Sequence, residues 1–137
     1  MIIVDTNVLS ELMKPSPESI VRDWVRAQDA EELHTTAISL AEIHYGIERL
    51  PHGRRKDLLR TTANEVFAAF AEQVLPFDAA AAQPYATIVT TRDEAGSPID
   101  GFDAQIAAIC SVHEGTLATR NVKDFRGTGI QVTNPWG

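Results

Sequence analysis

The chain has 137 residues, and its 12 lysines and arginines against 19 aspartates and glutamates give a net charge of −7. This length suits one domain with its own core, and the acidic balance argues against non-specific binding of nucleic acid by the whole surface. The single cysteine, Cys110, excludes an intramolecular disulfide. No apolar run approaches the ~20 residues of a membrane span. We therefore expect one cytoplasmic domain over residues 1–137.

The first predicted element is a strand that ends in a carboxylate. Met1 to Val4 is an apolar run with β-branched residues, which indicates a strand buried on both faces of a parallel sheet. Asp5 follows it directly. An aspartate is unfavourable inside a strand and costly to bury unpaired, so Asp5 is expected at the strand's carboxyl end, facing a cation or water. The alternative is that Asp5 belongs only to the cap of the next helix, with Thr6 as the favoured capping residue.

Helical patterns occupy most of the first third of the chain. A short helix from Val8 to Met13 is predicted to stop before Pro15. Ser16, Pro17 and Glu18 form a start signal for a second helix, with Ser16 as its N-cap. The buried face of this helix is predicted to comprise Ile20, Val21, Trp24 and Val25.

The rest of the chain alternates short strands with pairs of helices. Strands are predicted at 33–38, 74–77, 116–119 and 130–132, and helices at 39–50, 53–73, 78–95 and 100–113, with a tail at 133–137. On the helix at 100–113, the apolar side is predicted to carry Phe102, Ile106, Ile109 and Cys110. This order predicts an α/β fold, with a central, mostly parallel, twisted sheet of four or five strands and helices on both faces.

Four carboxylates are placed where such a fold would bring them together. Asp5 and Asp124 come after predicted strands, and Glu42 and Asp103 lie in the first turns of helices. Strand carboxyl ends and helix N-termini meet at one edge of a parallel sheet. Four acids this close would repel one another and take up protons unless a cation is present. Oxygen ligands without Cys or His suit Mg²⁺ or Mn²⁺.

Each of these acids also has a structural interpretation. Ser39-x-x-Glu42 matches a capping box, which would by itself account for Glu42. Asp100 can cap the helix that contains Asp103, whose charge the helix dipole would favour. Asp124 can be a solvated turn residue. The residues alone leave these alternatives open.

Four stretches together resemble one family. They are Met1-Ile-Ile-Val-Asp-Thr-Asn-Val-Leu-Ser-Glu-Leu, Ser39-Leu-Ala-Glu-Ile-His-Tyr-Gly-Ile, Pro98-Ile-Asp-Gly-Phe-Asp-Ala-Gln-Ile-Ala-Ala and Leu117-Ala-Thr-Arg-Asn-Val-Lys-Asp-Phe. They look like the PIN-domain ribonucleases, and among these the VapC and FitB toxins of type II toxin–antitoxin pairs. The resemblance spans the chain in order, and it implies that Asp5, Glu42, Asp103 and Asp124 bind the metal. The family's polar, substrate-positioning residues match Thr6, Asn7, Thr119 and Asn121.

The resemblance implies a metal-dependent endoribonuclease that acts as a toxin, with Mg²⁺ or Mn²⁺ as cofactor. A metal-activated water would leave 5′-phosphate and 3′-hydroxyl ends on the RNA. The implied partners are an RNA substrate, a second copy in a homodimer or a larger toxin–antitoxin assembly, and a small antitoxin that inserts a basic residue into the acidic site. The alternatives are a receiver-like, non-catalytic acidic module, which would need paired acids after the first strand, and a phosphatase, which would need an acid where Asn7 stands.

One basic cluster allows two interpretations. It comprises Arg49, His52, Arg54, Arg55, Lys56 and Arg60. These side chains could follow an RNA backbone, although a solvated helix face is the commoner outcome for such a run. Asp100 is an extra acid near the predicted site, for which the sequence indicates a helix cap.

Overall fold

A sheet of five parallel strands forms the centre of the computed structural model, which describes all of residues 1–137. The strands are β1 (Ile2–Val4), β2 (Leu33–Thr36), β3 (Val74–Leu75), β4 (Thr116–Ala118) and β5 (Gln131–Thr133). The helices are α1 (Thr6–Leu12), α2 (Ser19–Ala27), α3 (Ala37–Glu48), α4 (Arg54–Phe70), α5 (Ala79–Glu94) and α6 (Gly101–His113), and a 3-10 helix covers Val122–Phe125. The predicted α/β fold is confirmed.

The order in which the chain adds strands to the sheet reverses beside β1. The order across the sheet is β3-β2-β1-β4-β5, so the chain builds outward from β1 on one side and then crosses to the other side for β4. In the register of the sheet, Ile3 lies opposite both His34 and Leu117. The carboxyl ends of β1 and β4 therefore flank a topological switch point, where open α/β sheets leave a crevice.

Two hydrophobic cores cover the two faces of the sheet. Because side chains alternate along a strand, Ile3 and Val4 point to opposite faces. Ile3 packs with Leu117 against the buried side of α5 and α6, and Val4 packs with Ala118 against α1, α2, α3 and α4. All four of these side chains are fully buried. Burial on both faces explains why β1 is an unbroken apolar run rather than an alternating one.

Several helix starts differ from those predicted. Helix α1 begins at Thr6 with Asp5 as its N-cap, so Thr6 is not the cap. Helix α2 begins at Ser19, because the backbone N–H of Glu18 donates to the Glu11 carboxylate at 3.0 Å and holds the preceding residues as a connection. Ser16 is therefore not its cap.

Two residues of the predicted apolar faces lie outside the cores. Ile20 and Phe102 are each 51% exposed. Each is the second residue of its helix. Cys110 is buried as predicted, and burial raises the pKa of its thiol to about 12. None of the six helices has the length and apolar content that crossing a bilayer would require.

Candidate active site

An acidic cavity of about 430 Å³ opens at the carboxyl ends of β1 and β4. Three of the four predicted acids, Asp5, Glu42 and Asp103, line it. The predicted polar residues Thr6, Asn7 and Asn121 also line it. The switch point of the sheet is therefore the place where the predicted side chains meet.

Asp5 is both a helix cap and a wall of this cavity. Its Oδ1 accepts the backbone N–H of Thr6 at 2.8 Å, which caps α1, and its Oδ2 accepts the hydroxyl of Thr119 at 2.8 Å. The residue is 4% exposed. Burial raises the pKa of Asp5, the hydrogen bonds from Thr119 and Thr6 oppose this rise, and the negative charge of Asp124 adds to it. Capping and a role in the site are therefore compatible.

Glu42 does not cap its helix, so the capping-box interpretation is wrong. Helix α3 starts two residues before Ser39, and its N-cap Thr36 accepts the backbone N–H of Ser39 on its hydroxyl oxygen at 3.1 Å. Glu42 therefore lies in the second turn, where its Oε1 accepts the Thr6 hydroxyl at 2.9 Å. Burial and the charges of Asp5 and Asp100 raise the pKa of Glu42.

Asp103 is left free to face the cavity because Asp100 caps helix α6. The Asp100 carboxylate accepts the backbone N–H groups of Phe102 at 2.9 Å and Asp103 at 3.4 Å, which confirms Asp100 as a cap. Burial, followed by the charges of Asp5, Asp100, Asp124 and Glu42, raises the pKa of Asp103 to about 7. The Asp103 carboxyl thus experiences the charge of every other acid in the predicted set.

Asp124 lies near the cavity but is not part of its wall. It belongs to the 3-10 helix after β4, and the buried guanidinium of Arg92 donates to its carbonyl oxygen at 2.8 Å. Its negative charge contributes to the raised pKa values of Asp5 and Asp103. The structure therefore places Asp124 in the electrostatic surroundings of the site.

Three of the four predicted polar residues hold other parts of the site in place. Thr119 is fully buried, so its hydroxyl orients Asp5 rather than a substrate. Asn7 donates to the Thr119 hydroxyl at 3.0 Å and accepts the backbone N–H of Arg120 at 3.2 Å, which ties α1 to the end of β4. Thr6 supports Glu42. Among these four residues, Asn121 alone has a side chain that makes no hydrogen bond within the chain, and this side chain lines the cavity.

Five further residues of the cavity wall were not predicted: Ser10, Glu11, Lys14, Arg120 and Trp136. Glu11 is 3% exposed, and it accepts the Lys14 ammonium at 2.9 Å. The spacing of Asn7 and Glu11, four residues apart on one face of the first helix, was a signal available in the sequence. A large aromatic residue in the otherwise polar tail was the signal for Trp136.

The donor set fits a hard divalent cation. The carboxylates that line the cavity are accompanied by hydroxyl and amide groups, with no Cys or His among the lining residues. Such oxygen donors suit Mg²⁺ or Mn²⁺ rather than Zn²⁺. No three acidic or histidine side chains are already drawn together as the ligands of one ion.

The predicted basic cluster does not line the acidic cavity. Lys56 is buried and donates to the carbonyl oxygen of Glu48 at 2.9 Å, and Arg60 pairs with the Glu48 carboxylate at 2.9 Å. Arg49 and Arg55 instead line a neighbouring groove of about 620 Å³ between α1, α3 and α4. Lys56 and Arg60 therefore serve helix packing and surface ion pairing.

Comparison with known proteins finds relatives that match this chain over nearly its whole length. A family model described as PIN domain matches residues 2–130. The chain is 38% identical to the VapC ribonuclease Y4jK of Sinorhizobium fredii over 99% of this chain and 98% of that protein. It is 35% identical to toxin FitB of Neisseria gonorrhoeae over 99% of each. The structure of FitAB bound to an IR36 DNA fragment has a TM-score of 0.92 at 35% identity, covering 100% of this chain and 96% of that one.

Proposed function

The chain belongs to the PIN-domain family, and from this we propose that it is a metal-dependent endoribonuclease acting as the toxin of a toxin–antitoxin pair. The observation that carries the proposal is the convergence of Asp5, Glu42 and Asp103 on one cavity at the switch point of the sheet. The names of the relatives, a VapC ribonuclease and toxin FitB, support both the activity and the biological role.

In this proposal Asp5, Glu42 and Asp103 hold Mg²⁺ or Mn²⁺, with Asp124 contributing negative charge or a further ligand. The bound cation would neutralise charge on the scissile phosphate and activate a water. Thr119 and the backbone of Thr6 fix Asp5, and the Thr6 hydroxyl fixes Glu42, so two ligands are oriented before any ion arrives. The raised pKa of Asp103 means that protons and the cation compete for its carboxylate.

The cavity favours hydrolysis by water over attack by the RNA's own 2′-hydroxyl. The 2′-hydroxyl route needs a general base such as histidine and leaves a 2′,3′-cyclic phosphate. None of the four histidines lines the cavity, and the carboxylates that could serve as this base are the proposed ligands of the cation. We therefore expect the 3′-oxygen to leave and the fragments to carry 5′-phosphate and 3′-hydroxyl ends.

The receiver-like and phosphatase alternatives gain no support from the site. Both require the carboxylate after β1 to accept a phosphoryl group. Asp5 is 4% exposed, and hydrogen bonds from Thr6 and Thr119 occupy both of its oxygens. A carboxylate held in this way is suited to ligating a cation rather than to attacking phosphorus.

The antitoxin is proposed to bind in the groove that continues from the acidic cavity. Thr6, Ser10, Lys14 and Glu42 line both the cavity and the groove. The groove adds apolar side chains of α3 and α4, among them Leu58, which is 63% exposed. A segment with an apolar face could lie along the groove and present a cation to Glu42, and the net charge of −7 favours a cationic partner.

Cleavage of structured RNA by the purified protein tests the activity. We expect cleavage with Mg²⁺, none with EDTA, and none by Glu42→Gln, whose side chain keeps the shape of Glu42 but loses its charge. Arg26→Gln is a matched control, because Arg26 is exposed on α2 and outside the cavity. Full activity of Glu42→Gln would contradict the proposed site.

Expression in a bacterial host tests the toxin role. The wild type should arrest growth, and Asp5→Asn, expressed to the same level, should not. Co-expression of the partner gene should restore growth. Harmless accumulation of folded, wild-type protein without a partner would contradict the role while leaving the nuclease activity to the cleavage assay.

A further inference from the structure

The cavity wall carries two cations, and only one of them is neutralised. Lys14 pairs with the buried Glu11 carboxylate at 2.9 Å. Arg120 forms no ion pair within 4 Å, although its charge acts on Glu11 at longer range and three other carboxylates line the same cavity. Arg120 is thus the uncommitted positive charge of the site.

The main chain fixes the position of Arg120 beside the acids. Its backbone N–H donates to Asn7 Oδ1 at 3.2 Å, and the preceding residue, Thr119, donates to Asp5 at 2.8 Å. The base of the Arg120 side chain therefore lies one residue from the hydrogen bond that orients Asp5. Because Asp5 and Arg120 line the same cavity, a ligand bound at Asp5 also lies close to the Arg120 side chain.

The guanidinium is held by an aromatic ring rather than by a carboxylate. Its central carbon lies 5.1 Å from the centroid of the Trp136 ring. A guanidinium over an indole face is attracted by the ring and keeps its N–H groups available at its edges. An ion pair with a nearby acid would instead occupy those donors.

Trp136 is itself anchored to the body of the protein. Pro135, the residue before it, is fully buried. The backbone N–H of Trp136 donates to Asn134 Oδ1 at 2.9 Å, and the Trp136 ring packs at the edge of the core between the sheet and α1–α4. The indole Nε1 is buried and has no hydrogen-bond partner. Packing alone therefore holds the ring, whose exposed face supports Arg120.

We propose that Arg120, supported by Trp136, is a binding site for a backbone phosphate of the RNA strand beside the acidic cavity. This inference rests on the proposed nuclease function and names the part of the substrate that the site holds. The acids of the cavity would hold the cation that binds the scissile phosphate. Arg120 binds a neighbouring phosphate through the planar, two-pronged donor geometry that arginine offers to phosphate. Trp136 is the positioning residue that keeps this fork in place.

A binding assay without metal tests the inference separately from cleavage. The probe is a fluorescein-labelled, single-stranded 12-nucleotide RNA of mixed sequence, titrated in EDTA at several salt concentrations. Arg120→Gln should bind about tenfold more weakly than the wild type, since a charge-assisted hydrogen bond is lost. The slope of log affinity against log salt should shrink by about 0.7, the value for one phosphate contact on a single strand. Arg26→Gln should match the wild type in both respects.

Conservative variants separate positioning from charge. Arg120→Lys keeps the charge without the planar fork, so it should restore the salt slope but not the full affinity. Trp136→Phe keeps an aromatic face and should bind within about threefold of the wild type, because a phenyl ring still attracts the guanidinium. Trp136→Leu should bind about fivefold more weakly than the wild type, between Trp136→Phe and Arg120→Gln, with the salt slope of the wild type. Circular dichroism establishes that each variant is folded.

The outcomes distinguish this inference from the proposed function. If the wild type cuts RNA and Arg120→Gln binds the probe with unchanged affinity and salt slope, the phosphate site is wrong and the nuclease stands. If Trp136→Leu matches the wild type, the positioning role of the ring is wrong. If the wild type neither binds the probe nor cuts RNA in Mg²⁺, both proposals fail.

Discussion

Replacing Asp103 by asparagine should stabilise the metal-free protein, and the gain should depend on pH. The Asp103 carboxyl has a pKa of about 7 in the folded chain, against an ordinary value of 3.8, chiefly because of burial and then because of the neighbouring acids. The raised value means that the folded state binds more protons than the unfolded state between these two pH values. Wild-type stability therefore falls as pH rises from about 4 to about 7, and asparagine removes that loss.

The size of the effect follows from the shift. A rise of about three pKa units corresponds to about 4 kcal/mol, which is an upper limit for a fully buried group. Asp103 is only half-buried, and solvent screening reduces the figure to about 1–2 kcal/mol. Loss of a favourable charge in the first turn of α6 subtracts about 0.5 kcal/mol. The net gain of about 1 kcal/mol at pH 8 corresponds to about 3–4 °C in melting temperature for a chain of this length.

Thermal unfolding followed by circular dichroism in EDTA, from pH 4 to pH 8, measures this difference. The melting temperature of Asp103→Asn should exceed that of the wild type at pH 8 and nearly equal it at pH 4. Asp93→Asn is the matched control, because Asp93 is exposed on α5 and outside the cavity, and it should show no such trend. A wild type that is as stable as Asp103→Asn at pH 8, or a difference that is the same at both ends, would refute the reasoning.

Three other predictions follow from the same contacts. Added Mg²⁺ should raise the melting temperature of the wild type more than that of Asp103→Asn. This rise should become smaller towards pH 5, because protons compete with the ion for the carboxylates. Equal rises for the two proteins would mean that the ion binds elsewhere. Thr119→Val should lower the free energy of unfolding in urea by about 1–3 kcal/mol, because Oδ2 of buried Asp5 loses its short hydrogen bond and keeps only the one from Asn7 at 3.4 Å; Thr119→Ser should stay near the wild type. Glu114→Gly should raise the free energy of unfolding by about 0.5–1 kcal/mol, because Glu114 ends α6 with a φ of 50°, a left-handed conformation that glycine adopts without strain. An unchanged free energy of unfolding in the same urea titration would contradict this.

The sheet and the main acids could be predicted because each has a local signal. The apolar run of β1 requires burial on both faces, and an aspartate directly after it can lie only at the strand end. Parallel topology then brings Glu42 and Asp103 to the same edge. These inferences need no knowledge of side-chain contacts, and the fold they describe is the fold observed.

The helix starts were harder because the capping signals compete. Thr36 and Ser39 are both good N-cap residues, and the sequence does not show at which of them the strand ends and the helix begins. Because Thr36 is the N-cap, Glu42 lies in the second turn of α3 rather than the first, and it bonds Thr6 instead of capping the helix. Ser16 lost its predicted role in the same way, because the carboxylate of Glu11 from another helix holds the backbone N–H of Glu18.

The far wall of the cavity depends on contacts that no local pattern encodes. Trp136 reaches the site from the end of the chain, and Arg120 is held over its ring. Neither residue belongs to a helix or strand with a periodicity that would indicate its direction. Such a pair becomes visible only when β4, β5 and the residues after them are placed beside α1.

The most direct measurement of the central claim is mass spectrometry of RNA fragments produced in Mg²⁺ and ¹⁸O-labelled water. We predict that the wild type yields fragments with 3′-hydroxyl ends and one ¹⁸O atom in each new 5′-phosphate, and that Asp5→Asn yields none. Fragments ending in a 2′,3′-cyclic phosphate without ¹⁸O would contradict hydrolysis by water, and equal cleavage by Asp5→Asn would contradict the site.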